Sequence, residues 1–149
     1  MSYRPYVAII AAAVSSLSGI KFEIYNNSGS SIASLQPVAS DSNGKLIAID
    51  PAVELTAVKI LGVAESSIPN GSYGNVYSHG KFENITTTFG FGDYVYVSKT
   101  GGLTNIEPSE GVDGFVSGDF ILRVGIIVRN RAIPSQKDLI INIGIVGQV

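Results

Sequence analysis

The chain has 149 residues, of which 45% are hydrophobic and only 15% are charged, so it can bury a core and general disorder is excluded. Its net charge of −2 argues against nucleic-acid binding by bulk electrostatics. The lack of cysteine excludes disulfides, thiolate metal sites and cysteine nucleophiles, and the single histidine, His79, excludes a multi-histidine metal site. So few charges on so apolar a chain also indicate buried subunit contacts.

Residues 1–19 form a segment of their own, with an apolar run from Tyr6 to Val14. This run is too short for a transmembrane helix, which needs about 20 residues. A cleaved signal peptide is one alternative, because Arg4 precedes the run and small residues follow it. We favour an arm that packs on a neighbouring subunit, since Pro5 and residues 15–19 isolate the run from the rest of the chain. The interaction residues that we predict for this arm are Tyr3, Arg4, Tyr6, Val7, Ile9 and Ile10.

Residues 20–149 are predicted to form one β-domain, and its first half already contains several short strands. Residues 20–25 alternate strictly between apolar and polar side chains. Residues 34–39 and 45–49 flank an Asn-Gly pair, the strongest short hairpin signal. Residues 58–64 are almost continuously apolar, which predicts a strand buried on both faces. Between the strands predicted at 74–78 and 81–87, His79 and Gly80 are expected to form a turn.

The second half of the chain continues the same pattern. Residues 93–99 place Tyr94 and Tyr96 on one face and Val95 and Val97 on the other. A turn at residues 100–102 leads into a short segment that ends at Ile106. Residues 120–128 and 139–146 are the most hydrophobic strands, apolar on both faces, as expected if one face meets the core and the other a partner.

Almost nothing in the chain is typical of helix; one helical turn is predicted within residues 51–59. Strands that recur with turn signals at short intervals are typical of a sandwich or barrel. The predicted fold class is therefore all-β: a small barrel or sandwich of short antiparallel strands with an N-terminal arm. The Gly90–Asp93 stretch is predicted to form a tight turn before the Tyr94 strand, because it is too short for a phosphate-binding loop.

Candidate chemistry is sparse. A general base needs a positioned partner within hydrogen-bond reach, and no Gly-x-Ser-x-Gly elbow accompanies His79. We interpret His79 as a surface or subunit-contact residue, and we predict no enzymatic activity and no cofactor.

Two groups of charged residues are further candidates. The best metal candidate is the acidic stretch, whose flexible loop suits calcium, but its spacing does not match an EF-hand and we favour a solvated loop without metal. Its members are Glu107, Glu110, Asp113 and Asp119. The basic residues of the last third are either a patch for an acidic partner or an ordinary rim; they are Arg123, Arg129, Arg131 and Lys137.

Several phrases of turn glycines and strand residues run from Leu61 to Val149. They are Gly62–Gly71, Gly92–Ser98, Gly101–Thr104, Pro108-Ser109, Gly118–Phe120 and Arg123–Gly125. In this order they resemble a module of tailed-phage virion proteins, especially head-decoration and head-fibre proteins. The earlier part, with Val38 and the Asn43-Gly44 hairpin, also follows the usual beginning of that module, whereas residues 1–19 fall outside the resemblance.

The resemblance implies a small β-barrel-like module with a structural function. We expect a non-enzymatic decoration or cement protein that binds and stabilises the phage head shell, located on the head surface of the virion. The implied partners are the major capsid protein and further copies of the chain, as a homotrimer, because decoration proteins often sit at local three-fold positions. No nucleic-acid or membrane partner is expected.

Two other functions remain open. The first alternative is a tail- or fibre-associated module that binds a host surface glycan by stacking exposed tyrosines on sugar rings. The residues considered for this stacking are Tyr73, Tyr77, Tyr94 and Tyr96. A small hydrolase that uses carboxylates of the stretch from Glu107 to Asp119 ranks third.

Overall fold

The computed structural model describes residues 19–149, which contain nine strands and one short helix. The strands are β1 (Ile20–Tyr25), β2 (Pro37–Ser40), β3 (Leu46–Ala48), β4 (Ile60–Ala64), β5 (Tyr73–Ile85), β6 (Tyr94–Val97), β7 (Leu103–Thr104), β8 (Phe120–Arg129) and β9 (Lys137–Gln148), and the helix is α1 (Glu54–Ala57). The predicted all-β class is confirmed.

All nine strands belong to one antiparallel sheet with the order β3-β2-β4-β5-β9-β8-β6-β7, and β1 pairs with β5 beside this path. The sheet curls into a half-barrel. Three of its strands are longer than the sequence pattern indicated: β5, β8 and β9 have 13, 10 and 12 residues. The β8–β9 ladder runs from Phe120 opposite Gln148 to Arg129 opposite Lys137, with two shifts of register along its length.

Strand β5 is shared by both halves of the sheet. Its first half pairs with β1 and β4, and its second half, from Gly80 onward, pairs with β9. The turn predicted at His79 and Gly80 is therefore wrong: the chain continues as one strand and bends at Gly80, whose φ is +80°. Glycine adopts this left-handed conformation at no steric cost. The glycine that we interpreted as a turn signal marks a bend between two halves of the sheet.

The core consists of two clusters, one on each face of the sheet formed by β2, β4 and the first half of β5. The larger cluster fills the concave interior with residues of β2, β4, β5, β6, β8 and β9, among them Val63, Leu122 and Leu139. The smaller cluster packs on the opposite face of β2, β4 and β5, where Ala64 and Val76 meet loop residues. Since Val63 and Ala64 are both 0% exposed, β4 is buried on both faces, as the sequence predicted.

An aromatic pair spans the bend of β5. The rings of Tyr77 and Phe82, on either side of Gly80, are stacked with centroids 4.3 Å apart. Both side chains belong to the larger core cluster and are less than 9% exposed. Their contact joins the two half-sheets on the concave side of the bend.

Two local predictions are confirmed. The Asn-Gly hairpin joins β2 and β3, and the Asp41 carboxylate accepts hydrogen bonds from the N–H groups of Asn43 (2.9 Å) and Lys45 (2.7 Å). The helical turn expected within residues 51–59 is α1. The Thr56 hydroxyl supports it by donating to the carbonyl oxygen of Asp50 at 2.8 Å.

The strict alternation predicted around Tyr94 is wrong at Tyr96. Tyr94 is 50% exposed, but Tyr96 is only 6% exposed and lies between two fully buried valines. The ladder between β6 and β8 shifts register between Val95 and Tyr96. This end of β6 is covered on both faces, whereas strict alternation requires one face open to water.

The curled sheet stays open between its two ends. The turn that joins β6 and β7 approaches the end of β3, where a Cβ atom on Gly101 would lie 3.0 Å from the carbonyl oxygen of Ile49. Within residues 19–149, no ladder joins β3 to β7. We call the gap between residues 33–36 and residues 100–103 the seam.

Gly125 of β8 lies close against β9, because a Cβ atom there would overlap the carbonyl oxygen of Ile140. Replacing Gly125 with alanine is expected to lower the free energy of unfolding by about 3 kcal/mol, since the ladder must shift to admit the methyl group. Gly144→Ala on the neighbouring strand is the matched control, because no atom lies within 4 Å of its added methyl. Urea unfolding measures both; equal losses would contradict the steric argument.

Candidate functional site

One face of the second half-sheet is turned away from the core. Tyr94 of β6 lies directly opposite Ile126 of β8, which lies opposite Ile140 of β9. Ile140 in turn pairs with Lys81 of β5. The residues that follow each of these along their strands, such as Val95 and Ile127, are buried in the larger core cluster, so this row points to the other side. We call Lys81, Tyr94, Arg123, Ile126 and Ile140 the outer face.

Arg123 covers one side of the Tyr94 ring. The guanidinium carbon lies 5.0 Å from the ring centroid, which is within the range of a cation–π contact. The two side chains, together with Ile126, Ile140 and Asn142, border a shallow cleft of about 160 Å³. Aromatic and arginine side chains over an apolar floor are the groups that most often anchor protein interfaces.

The charge of Arg123 is not neutralised by a neighbouring carboxylate. The ion pairs among residues 19–149 are Lys21–Glu65, Lys81–Glu83 and Lys99–Asp119. Lys81 is the only residue of the outer face that forms one of these ion pairs. Its Nζ lies 3.8 Å from Oε1 of Glu83, which is long for an ion pair. The outer face therefore presents uncompensated positive charge, although the whole chain is slightly acidic.

A second positive cluster lies at the end of the β8–β9 ladder. Arg129 and Lys137 are directly opposite each other, and both lie over the ring of Phe91, at 4.4 Å and 5.8 Å from its centroid. Like charges in opposite positions of a ladder repel each other. The ring and two carbonyl oxygens offset this repulsion: Arg129 donates to Pro134 at 3.1 Å and Lys137 donates to Thr87 at 3.2 Å. The fourth basic residue, Arg131, is exposed in the connection between β8 and β9.

The turn that carries Phe91 toward Tyr94 is closed by the carboxylate of Asp93. Its Oδ2 accepts hydrogen bonds from the side-chain amide of Asn105 (2.9 Å) and the N–H of Gly90 (2.7 Å). The Asn105 bond is the main cause, and the Gly90 bond the second, of a pKa of Asp93 below its ordinary value. The tight turn predicted from Gly90 to Asp93 is confirmed, and Asp93 stays ionised at neutral pH.

The four tyrosines considered for sugar stacking are not on one surface. Tyr77 and Tyr96 are only 8% and 6% exposed, and burial raises the pKa of Tyr96. Tyr94 is exposed but already contacts Arg123. Tyr73 is 67% exposed and instead packs on Tyr25 of β1, with ring centroids 5.1 Å apart. A single platform made of these four rings is therefore ruled out.

His79 is exposed on β5, where it pairs with Ile20 of β1, as expected for a surface residue. Within residues 19–149, no three His, Asp or Glu side chains are close enough to hold a common metal ion. The same part of the chain contains no helix with the length and apolar character needed to cross a bilayer.

The acidic stretch is not the uniformly solvated loop that the sequence predicted. Glu107, Glu110 and Asp113 are exposed, but the side chain of Asp119 is only 3% exposed and pairs with Lys99 at 2.6 Å. Asp119 also accepts a hydrogen bond from the N–H of Val116 at 2.9 Å. The Lys99 bond first, and the Val116 bond second, hold the pKa of Asp119 below its ordinary value.

The predicted arm contacts lie outside the described residues. They are Tyr3, Arg4, Tyr6, Val7, Ile9 and Ile10. The described chain begins at Gly19, whose N–H donates to the carbonyl oxygen of Lys81 at 2.7 Å, next to the bend of β5. Sequence reasoning did not single out Phe91, Ile126 or Ile140 as site residues. Two signals in the sequence could have identified them. Phe91 lies between two turn glycines, and Ile126 and Ile140 lie in strands that are apolar on both faces.

The chain matches no protein-family model, no curated protein and no solved structure.

Replacing Asp119 with asparagine is expected to lower the free energy of unfolding at neutral pH by about 2 kcal/mol, since hydrogen bonds to charged groups contribute about 1.5–3 kcal/mol. The pKa of the folded carboxyl lies below that of the unfolded one, so its contribution is present above the unfolded pKa and is lost as the pH falls through the folded pKa. The gap between D119N and the parent protein should therefore shrink at about pH 2. Urea unfolding at both pH values measures it.

Asp113→Asn is the matched control for this experiment, because Asp113 is an exposed carboxyl of the same stretch. It should change the unfolding free energy by less than about 0.5 kcal/mol. A D119N deficit that persists undiminished in acid would mean that the ion pair does not stabilise the folded state.

Proposed function

We propose that the protein is a non-enzymatic structural component of a tailed-phage virion. It decorates the head surface and stabilises the shell by binding the major capsid protein. The observation that supports this proposal most is the outer face, where Arg123 covers Tyr94 beside Ile126 and Ile140. The surface chemistry alone supports a docking surface for another protein. The sequence resemblance is the reason for identifying that protein as part of a tailed-phage head.

The outer face suits a docking surface because it is held by three neighbouring strands. Tyr94, Ile126 and Ile140 are in directly opposite positions of hydrogen-bonded strands, so their backbone positions are set before any partner binds. Anchors that are ordered in advance lose little conformational freedom on binding. The positive charge of Arg123 suits an acidic surface on the capsid protein.

The N-terminal segment provides the second contact in this proposal. Its residues Tyr3, Arg4, Tyr6, Val7, Ile9 and Ile10 would reach a neighbouring subunit or the capsid. Gly19, the first described residue, is bonded to β5 at the bend, so the segment begins from a well-anchored point. The glycan-binding alternative has less support, because two of its four tyrosines are buried and the other two have different ring partners.

Immunogold labelling of particles of the phage that carries this chain tests the location. We expect label over the whole head; label at the tail alone, or on no particle, would refute the proposal. Labelled protein should also co-sediment with these particles. Tyr94→Ala is expected to weaken this binding by at least about tenfold, because anchor residues contribute about 2 kcal/mol or more.

Tyr73→Ala is the matched control for Tyr94→Ala, since it removes another exposed tyrosine, which lies on β5 away from the outer face. It should bind particles like the parent protein. If both variants bind equally, the outer face is not the docking surface. A particle-binding affinity that is insensitive to salt would likewise contradict a contribution from Arg123.

We further propose that the protein forms a homotrimer. Apolar side chains remain open to solvent on β9, where Ile145 and Val146 are each 49% exposed, and on β1, where Ile20 is 65% exposed. An assembly with closed symmetry covers such patches and the open edges of a sheet together. The number three comes from the resemblance to head-decoration proteins.

Light scattering at micromolar concentration is expected to give a mass of about 47 kDa, three times the 15.6 kDa chain. The same measurement on a chain that lacks residues 2–18 separates the contributions: a smaller mass would assign the trimer contact to the arm, an unchanged one to the β-domain. A monomer that stays monomeric when bound to particles would refute the trimer.

A further inference from the structure

A cavity of about 420 Å³ lies at the seam. One wall is the loop from Ala33 to Gln36, and the other is the turn from Thr100 to Leu103. Thr87 and Phe89, which follow β5, line it between the two walls. Its volume is within the range of pockets that hold small molecules, about 300–1,000 Å³.

The first wall contains a strained residue. Leu35 has a φ of +63°, a left-handed conformation that is a genuine outlier for a bulky side chain. Its N–H donates to the carbonyl oxygen of Ala64 at 2.9 Å, and the Gln36 side chain accepts from the N–H of Ala33 at 2.9 Å. Strain of this kind persists only where surrounding contacts enforce it, and it is concentrated at ligand-binding sites.

The second wall is held by Ser98. Its hydroxyl accepts a hydrogen bond from the N–H of Gly102 at 2.9 Å and bonds the Thr100 hydroxyl at 3.2 Å. The N–H of Gly101 donates to the Ser98 carbonyl oxygen at 3.0 Å. Both walls are thus ordered without a ligand, as a preformed site requires.

The lining of the cavity selects an uncharged ligand. Its apolar part is Leu35, Phe89 and Leu103, all packed against the larger core cluster. Its polar part is the hydroxyls and the side-chain amide of Ser34, Gln36, Thr87 and Thr100. No side chain that lines it is ionisable, so a charged group would be desolvated there without a counter-charge.

We propose that the seam cavity binds a neutral saccharide unit, with the apolar face of the sugar ring on Phe89 and its hydroxyl groups toward Ser34, Gln36 and Thr100. The Thr100 hydroxyl bonds that of Ser98, and the Gln36 side chain accepts from the N–H of Ala33, so the sugar would use the remaining donor and acceptor positions of these groups. An added peptide strand would find only short edges, since β3 has three residues and β7 has two. This site is separate from the outer face and does not depend on head attachment.

Titration of the ¹⁵N-labelled full-length chain with maltose, cellobiose, lactose and chitobiose tests the proposal by NMR. At least one of these neutral disaccharides should shift the amide signals of Leu35, Phe89, Gly101 and Gly102. Phe89→Leu, which keeps the apolar floor but removes the ring, should weaken that binding by about tenfold. Tyr73→Leu, a control at the exposed Tyr25–Tyr73 pair, should leave it unchanged.

Thr100→Val is a second variant that keeps the volume and removes one wall hydroxyl; it too should weaken binding if Phe89→Leu does not fold. The proposal is overturned if none of the four sugars shifts cavity signals at up to ~50 mM, a concentration that reveals even very weak binding. It is also overturned if the shifts are confined to Tyr25 and Tyr73, if the folded cavity variants bind like the parent, or if glucuronate binds as tightly as the neutral sugars.

Discussion

Two half-sheets meet in one strand because Gly80 lets β5 bend without breaking. The stacked rings of Tyr77 and Phe82 hold the concave side of this bend closed. The change of partners along β5, from β1 and β4 to β9, occurs at this bend. The bend turns Val63, Leu122 and Leu139 toward a common interior, whereas the alternation of side chains along β8 and β9 directs Ile126 and Ile140 to the opposite side.

The same bend explains why the molecule has two surfaces of such different chemistry. The half-barrel stays open at the seam, where short loops supply hydroxyls and amide groups but no charge. The outer side of β6, β8 and β9 is instead made of paired strands, and it displays Tyr94 and Arg123. A loop-lined gap can enclose a small molecule, whereas an exposed face with a charged and an aromatic side chain suits a macromolecule.

Short stretches of sequence were sufficient to predict the elements whose structure is determined by residues close together in the chain. The residues of β1, the Asn-Gly hairpin and α1 were all predicted from short windows. The sequence could not separate a turn at Gly80 from a bend, because both need a glycine and because Lys81 pairs with Ile140, a residue far along the chain. The burial of Tyr96 and the pairing of Asp119 with Lys99 are likewise decided by distant contacts.

The hydrogen bond from the N–H of Gly19 to the carbonyl oxygen of Lys81 determines where a force on the N-terminal segment reaches the sheet. A pull on the segment before Gly19 enters the domain at the middle of β5, beside the bend. From there it passes to β9 and then to β8, the strand that carries Arg123 and Ile126, through two hydrogen-bonded ladders and no flexible loop. If the N-terminal segment and the outer face bind different partners, as proposed, tension between those partners would pass through these paired strands.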